Sequence, residues 1–199
     1  RMSNATRALL ADISVEAGEN APEIDPNWGE PDLNAAQQVY GWNSFEVLAF
    51  KTGNPEHPVN AIPPRAHAHC QIRFIQGSKR EEFLPALRRH LDAHGFDMVE
   101  IEPPPPGNAI DFTATRTDPD HPWVRWAAAS IERTSGKPTA VLPQLGGSIC
   151  NDLFSDLLGL PTIWVPHSYG ACSQHAPNEH ILLSEARDAI QLMAGVYWD

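Results

Sequence analysis

A few short groups of residues carry side chains of the kinds that do chemistry. Gly146-Gly147-Ser148-Ile149 is a glycine turn between a strand-like and a helix-like segment. Backbone N–H groups and the Ser148 hydroxyl would face outward there at a helix N-terminus, which suits a carboxylate or another anion. An ordinary strand-to-helix connection satisfies the same pattern. His175 lies in Gln174-His175-Ala176-Pro177-Asn178-Glu179-His180, a loop that opens into an amphipathic helix. Imidazole is the commonest metal ligand near neutral pH, yet a hydrogen-bonding loop histidine is equally compatible with the local residues. Cys172 and His180 stand close by, in a spacing that matches no closed zinc site. His67-Ala68-His69 points two imidazoles to one face of a strand, either as ligands or as the solvated side of a half-buried ribbon. Arg73 shares that face, where its guanidinium can grip a carboxylate in a two-pronged fork or make a surface ion pair.

The bulk composition excludes several partners. The 199 residues carry 25 acidic and 14 Lys or Arg side chains, a net charge of -11. Nucleic acid and anionic membrane surfaces both need clustered cations, so neither is an expected partner. Three widely spaced cysteines (Cys70, Cys150 and Cys172) without a Cys-x-x-Cys pair read as reduced thiols of a cytoplasmic protein. No apolar run approaches the roughly 20 residues of a membrane helix, and no signal-peptide pattern opens the chain. The chain starts on Arg1, and a piece of a longer protein is expected.

The positioning elements follow from periodicity. Short helices are expected over 6–13 and 34–40, joined by an acidic, proline-containing loop and anchored by Trp28 and Trp42. Ser44 to Lys51 reads as a strand. Arg65 to Gln76 alternates with period two, Ala66, Ala68, Cys70, Ile72 and Phe74 facing one way. Ser78 and Glu81 have capping-box spacing ahead of a helix that carries Phe83, Leu84, Leu87 and Leu91 and stops at Gly95, with Pro85 disturbing its first turn. Residues 96–101 read as a further strand. Four consecutive prolines, Pro103 to Pro106, then mark a stiff boundary. Beyond it, strands are expected over 112–116, 138–142 and 161–166. Helices are expected after Asp120, over 151–158 and from Ser184. The fold class is α/β: a partial two-layer α/β sandwich followed by an α/β layer with parallel strands.

Taken in order, Asn60-Ala61-Ile62-Pro63-Pro64-Arg65-Ala66, Ile72-Arg73, Gly146-Gly147-Ser148-Ile149 and His175-Ala176-Pro177-Asn178-Glu179 resemble motifs of the dinuclear zinc peptidase and deacylase family. Carnosinase-type dipeptidases, aminoacylase, glutamate carboxypeptidase and succinyl-diaminopimelate desuccinylase belong to it. The resemblance covers residues from about 44 onward. It implies a lid, or dimerisation, domain over 1–104 that lacks its first strand and helix, and the C-terminal half of the catalytic domain over 107–199. It implies that Asn60 and Arg73 hold the substrate carboxylate, often across a homodimer interface, that Gly147 and Ser148 help bind it, and that His175 is the last ligand of the second of two zinc ions.

The activity implied is hydrolysis, by metal-activated water, of an amide bond near a free carboxylate in small peptides or N-acyl amino acids. The family's catalytic base is a glutamate upstream of the lid. That base, the remaining zinc ligands and a carbonyl-polarising lid histidine have no counterpart here. Gln71 and Cys150 also depart from the commoner residues, without removing an implied contact. The expectation is therefore a fragment inactive alone, needing the missing N-terminal half of the catalytic domain. The alternatives are a non-catalytic dimerisation or interaction module, and a mononuclear zinc protein using His67, His69 and His175.

Overall fold

The computed structural model describes residues 2–15, 24–103, 113–147 and 149–199. The chain opens with two helices, α1 (Asn4–Leu9) and α2 (Ala35–Gly41). Ser3 caps α1 by accepting from the Thr6 N–H. At α2 the Asn34 side chain accepts from the Gln37 N–H while Gln37 accepts from the Asn34 N–H, a reciprocal capping box. Leu10, just past α1, is fully buried, and Ala36 and Gln37 are buried beside it in α2. This small core, rather than the largely exposed Trp28, joins the pair.

Strands β1 (Ser44–Thr52) and β2 (Ala66–Arg73) form an antiparallel hairpin that pairs Ser44 with Arg73 and Thr52 with Ala66. The register slips between Val47 and Ala49, with Leu48 the extra residue of a bulge. Phe45, Val47 and Phe50 on β1 lie opposite Ile72, Cys70 and Ala68, so one face of the ribbon is apolar. That face is open: Phe45 is 53% exposed and Phe50 66%.

Helix α3 (Phe83–Ala93) follows a 3₁₀ turn, Arg80–Glu82, and meets the end of the hairpin through the Phe74 and Phe83 rings, 5.3 Å apart. Pro85 falls in its first turn, where no N–H is missed. The capping box expected at Ser78 is not formed. Ser78 instead donates to the Asn43 side-chain Oδ1, which also accepts from the Ile75 N–H and so turns the chain after β2. Gly95, in the left-handed region at φ 78°, ends the helix as expected.

In the second part, α4 (Pro122–Ser135) packs on α5 (Leu183–Trp198). The α4 cap is His121, not the expected Asp120: its Nδ1 accepts from the Trp123 N–H, while Asp120 pairs with Arg125. The buried face of α4 is Val124, Ala127 and Ser130, and Trp123 is left exposed. Gly195 permits the close approach, because a Cβ there would lie 2.2 Å from the Thr134 hydroxyl.

The strands expected at 96–101, 113–116, 138–142 and 161–166 are absent among the described residues, whose one sheet is the β1–β2 hairpin. A strand exists only as half of a ladder, and among the described residues none of these segments pairs with another strand. Thr117 shows the substitute: its hydroxyl donates to the Thr162 carbonyl and accepts from the Thr162 N–H. The expected helix at 151–158 is a shorter turn of π geometry, Leu153–Leu157, closed by Gly159 in the left-handed region and followed by Pro161. Most of the proline boundary lies outside the described residues. No helix among the described residues is long and apolar enough to cross a membrane.

Candidate functional site

Arg73 is the last residue of β2, so its side chain projects from the end of the hairpin. Its Nε donates to Glu46 Oε2 at 3.1 Å, and the Ser44 hydroxyl holds the other carboxylate oxygen at 2.9 Å. Glu46 lies two residues along β1 from the residue opposite Arg73, on the same face and within diagonal reach. The side chains are 45% and 38% exposed, so the pair contributes only about 0.2–1 kcal/mol. Its role is orientation. With Nε anchored, Nη1 donates to the carbonyl oxygen of Gly146, 73 residues along the chain. One guanidinium thus joins the hairpin to the glycine turn, and among the described residues its Nη2 donors meet no acceptor.

The turn is shaped for close approach. A Cβ on Gly147 would lie 3.0 Å from Cη2 of Trp164, whereas one on Gly146 would meet Arg73 Cδ at an ordinary 3.8 Å. Ser148 lies outside the described residues. The helical turn that follows is too short to supply a strong dipole, so the cationic element here is Arg73 rather than a helix end.

Asn60 stands apart from this group. It sits in the β1–β2 connection, where the Ala61 N–H donates to the Val59 carbonyl, and its neighbours Val59 and Ile62 are 78% and 95% exposed. The eight residues of β2 put that connection roughly 23 Å from Arg73 at the usual strand rise. Asn60 and Arg73 are therefore at opposite ends of one hairpin.

His175 occupies the loop between residue 166 and α5, at φ 62°. Ser173 and Asn178 are also left-handed, at φ 56° and 64°. Each such non-glycine residue costs of order 1–3 kcal/mol, and strain of this kind gathers where a side chain must be presented. The His175 N–H donates to Glu179 Oε2 at 3.3 Å and the Ala176 N–H to the Ser173 carbonyl at 2.9 Å. The His180 N–H donates to the Cys172 carbonyl at 3.0 Å, closing the loop. Loop residues Cys172, Glu179 and His180, with His167, line an open pocket of about 280 Å³.

The residues do not fit a complete metal centre. Among those described, no group of three His, Cys, Asp or Glu side chains could hold an ion. His180 has both ring nitrogens engaged, by Tyr169 and by the Asn178 carbonyl. His67 and His69 lie on an exposed strand face with no third ligand, so the mononuclear alternative using His67, His69 and His175 is not assembled. His175 is at most one ligand of a larger set.

The structure thus brings Arg73 to Gly146, and no hydrogen bond or ion pair among the described residues ties His175 or Asn60 to them. The sequence reading missed Glu46, Trp164 and Tyr169. Glu46 follows from the hairpin register once that is known, whereas nothing in the spacing of Tyr169 and His180 announces their pairing.

Comparison with known proteins agrees with the resemblance in the motifs. Residues 3–99 match the family model M20_dimer, the peptidase dimerisation domain. No curated protein matches the chain. Among solved structures, it is similar to the M20 family metallo-carboxypeptidase Sso-CP2 from Sulfolobus solfataricus, at 20% identity and a TM-score of 0.70 over 98% of this chain and 44% of that one. It is also similar to the di-peptidase Dug1p from Saccharomyces cerevisiae, at 17% identity and a TM-score of 0.69 over 98% and 41%. The chain therefore spans less than half the length of these structures. At such identities the likeness speaks for the fold: a mixed helix-and-strand fold whose small antiparallel sheet is lid-like.

Proposed function

We infer that this chain supplies the lid and the C-terminal half of the catalytic domain of an M20-type metallopeptidase. Residues 1–104 are the lid and 107–199 the catalytic half. The whole enzyme hydrolyses an amide bond near a free carboxylate in small peptides or N-acyl amino acids, in the cytoplasm. The observation that carries this reading is the reach of Arg73 to the Gly146 carbonyl, which unites two carboxylate-holding elements far apart in sequence. Arg73 Nη2, the Gly147 N–H and the Ser148 hydroxyl then orient the substrate carboxylate. Asn60, remote from Arg73 in its own chain, serves the site of a second copy in a homodimer.

His175 is the one metal ligand the chain contributes, and zinc, as a pair of ions, is the metal the resemblance implies. One ligand holds no metal pair, so no chemical step is assigned to these residues. The test is to purify the chain, add zinc and assay dipeptides and N-acyl amino acids. No turnover is expected, and turnover by this chain alone would contradict the reading.

A second reading, a dimerisation module without catalysis, is favoured by one observation: the family match ends at residue 99, within the part that carries the open apolar face of β1 and β2. A stable dimer of the chain that neither binds small carboxylates nor restores activity to a separately supplied N-terminal half would favour it.

A further inference from the structure

We propose that Tyr169 and His180 form a clamp whose task is to position His175. The proposal rests on reading His175 as a metal ligand, but the clamp is a statement about geometry that can be measured without metal. The Asn178 carbonyl can only accept, so His180 Nδ1 carries the hydrogen and donates to it at 2.8 Å. In the neutral ring Nε2 is then the acceptor, and the Tyr169 hydroxyl donates to it at 2.6 Å. The rings meet edge to face, 5.8 Å apart and at 78°.

The backbone repeats the connection, since the Cys172 N–H donates to the Tyr169 carbonyl at 3.1 Å and the His180 N–H to the Cys172 carbonyl at 3.0 Å. Tyr169 and His180 thereby pin both ends of the loop that holds Ser173, His175 and Asn178 in left-handed conformations. Glu179 is an inner tether through the His175 N–H. Strained residues persist only where their surroundings over-determine them, and these contacts supply that determination around the His175 side chain, which makes no hydrogen bond or ion pair among the described residues.

The experiment is side-chain and backbone NMR of the full chain. In the unaltered protein His180 is expected as the Nδ1–H tautomer, and His175 and Asn178 are expected to show the carbon shifts of positive φ. In Tyr169→Phe, which removes only the hydroxyl, and in His180→Ala, the His175 shifts relax toward ordinary values while the α4 and α5 signals stay in place. His180→Asn, whose amide can still donate to the Asn178 carbonyl, falls between unaltered protein and His180→Ala. A His180 found as the Nε2–H tautomer, or a His175 signature unchanged in both Tyr169→Phe and His180→Ala, overturns the clamp. Unchanged metal content in His175→Ala of the intact enzyme overturns the ligand reading instead and leaves the clamp standing.

Discussion

Arg73 Nη1 donates to the carbonyl oxygen of Gly146, so the end of the β1–β2 hairpin is fastened to the glycine turn by this side chain. Glu46 sets the angle of that reach by holding Nε. The substitution Arg73→Gln is expected to remove both links yet to lower stability by less than about 1 kcal/mol, since both partners are well exposed. Denaturant midpoints and amide exchange at residues 145–147 check this. Exchange there should accelerate while exchange in α4 does not. Glu46→Gln should produce a weaker form of the same change.

The two glycines should respond differently to a methyl group. Gly146→Ala meets only an ordinary contact with Arg73 and is expected to be accepted. In Gly147→Ala the Cβ crowds the Trp164 ring, which is 44% exposed and able to give way. The expected cost is about 1 kcal/mol, near the low end for overpacking. A shift of the Trp164 indole signal, with the other five tryptophans unmoved, is the specific sign.

Asp199 joins α5 to α4 by accepting from the buried Ser130 hydroxyl and from Arg133, both at 2.6 Å. The Ser130 hydrogen bond first, and Arg133 second, hold its carboxyl below the ordinary carboxylate value. A pKa lowered by folding means that the stabilisation is complete above the unfolded value and is lost as pH falls through the folded one. Thermal midpoints of the unaltered chain and of Asp199→Asn should therefore differ at neutral pH and converge in acid. A difference that persists unchanged into acid would count against the contact.

Leu10→Ala tests the first small core. Leu10 is fully buried, and its Cδ1 lies 3.1 Å from where a Gly41 Cβ would stand. A loss of about 2–4 kcal/mol is expected for such a truncation. It should appear as local opening of α1 and α2, with the α4–α5 contacts intact.

How much was legible in the sequence differs between the halves for a physical reason. The hairpin, α2, α3, α4 and α5 are announced by local signals, such as alternation along Ala66 to Arg73, Gly95 past the end of α3, and Pro122 at a helix start. The strands expected beyond residue 112 have the right composition, but composition cannot provide a neighbour, and Thr117 pairs with Thr162 through its side chain instead. Caps were misjudged by a residue where two candidates adjoin, as at Asp120 and His121. In the candidate site, residue identity marked Arg73, Gly147 and His175. Only coordinates showed that Arg73 meets the glycine turn, that Asn60 lies at the other end of its hairpin, and that His175 sits in a strained loop. The Ser148 expectation falls outside the described residues.

Arg73 and the glycine turn are proposed to form a carboxylate site. The most direct measurement titrates isotope-labelled chain with N-acetylglycine and, separately, with its uncharged amide. The acid is expected to shift the Arg73 guanidinium and Gly147 amide signals and the amide to leave them still, with the acid's effect abolished in Arg73→Gln. Equal shifts from acid and amide, or acid-induced shifts that survive in Arg73→Gln, would contradict the account.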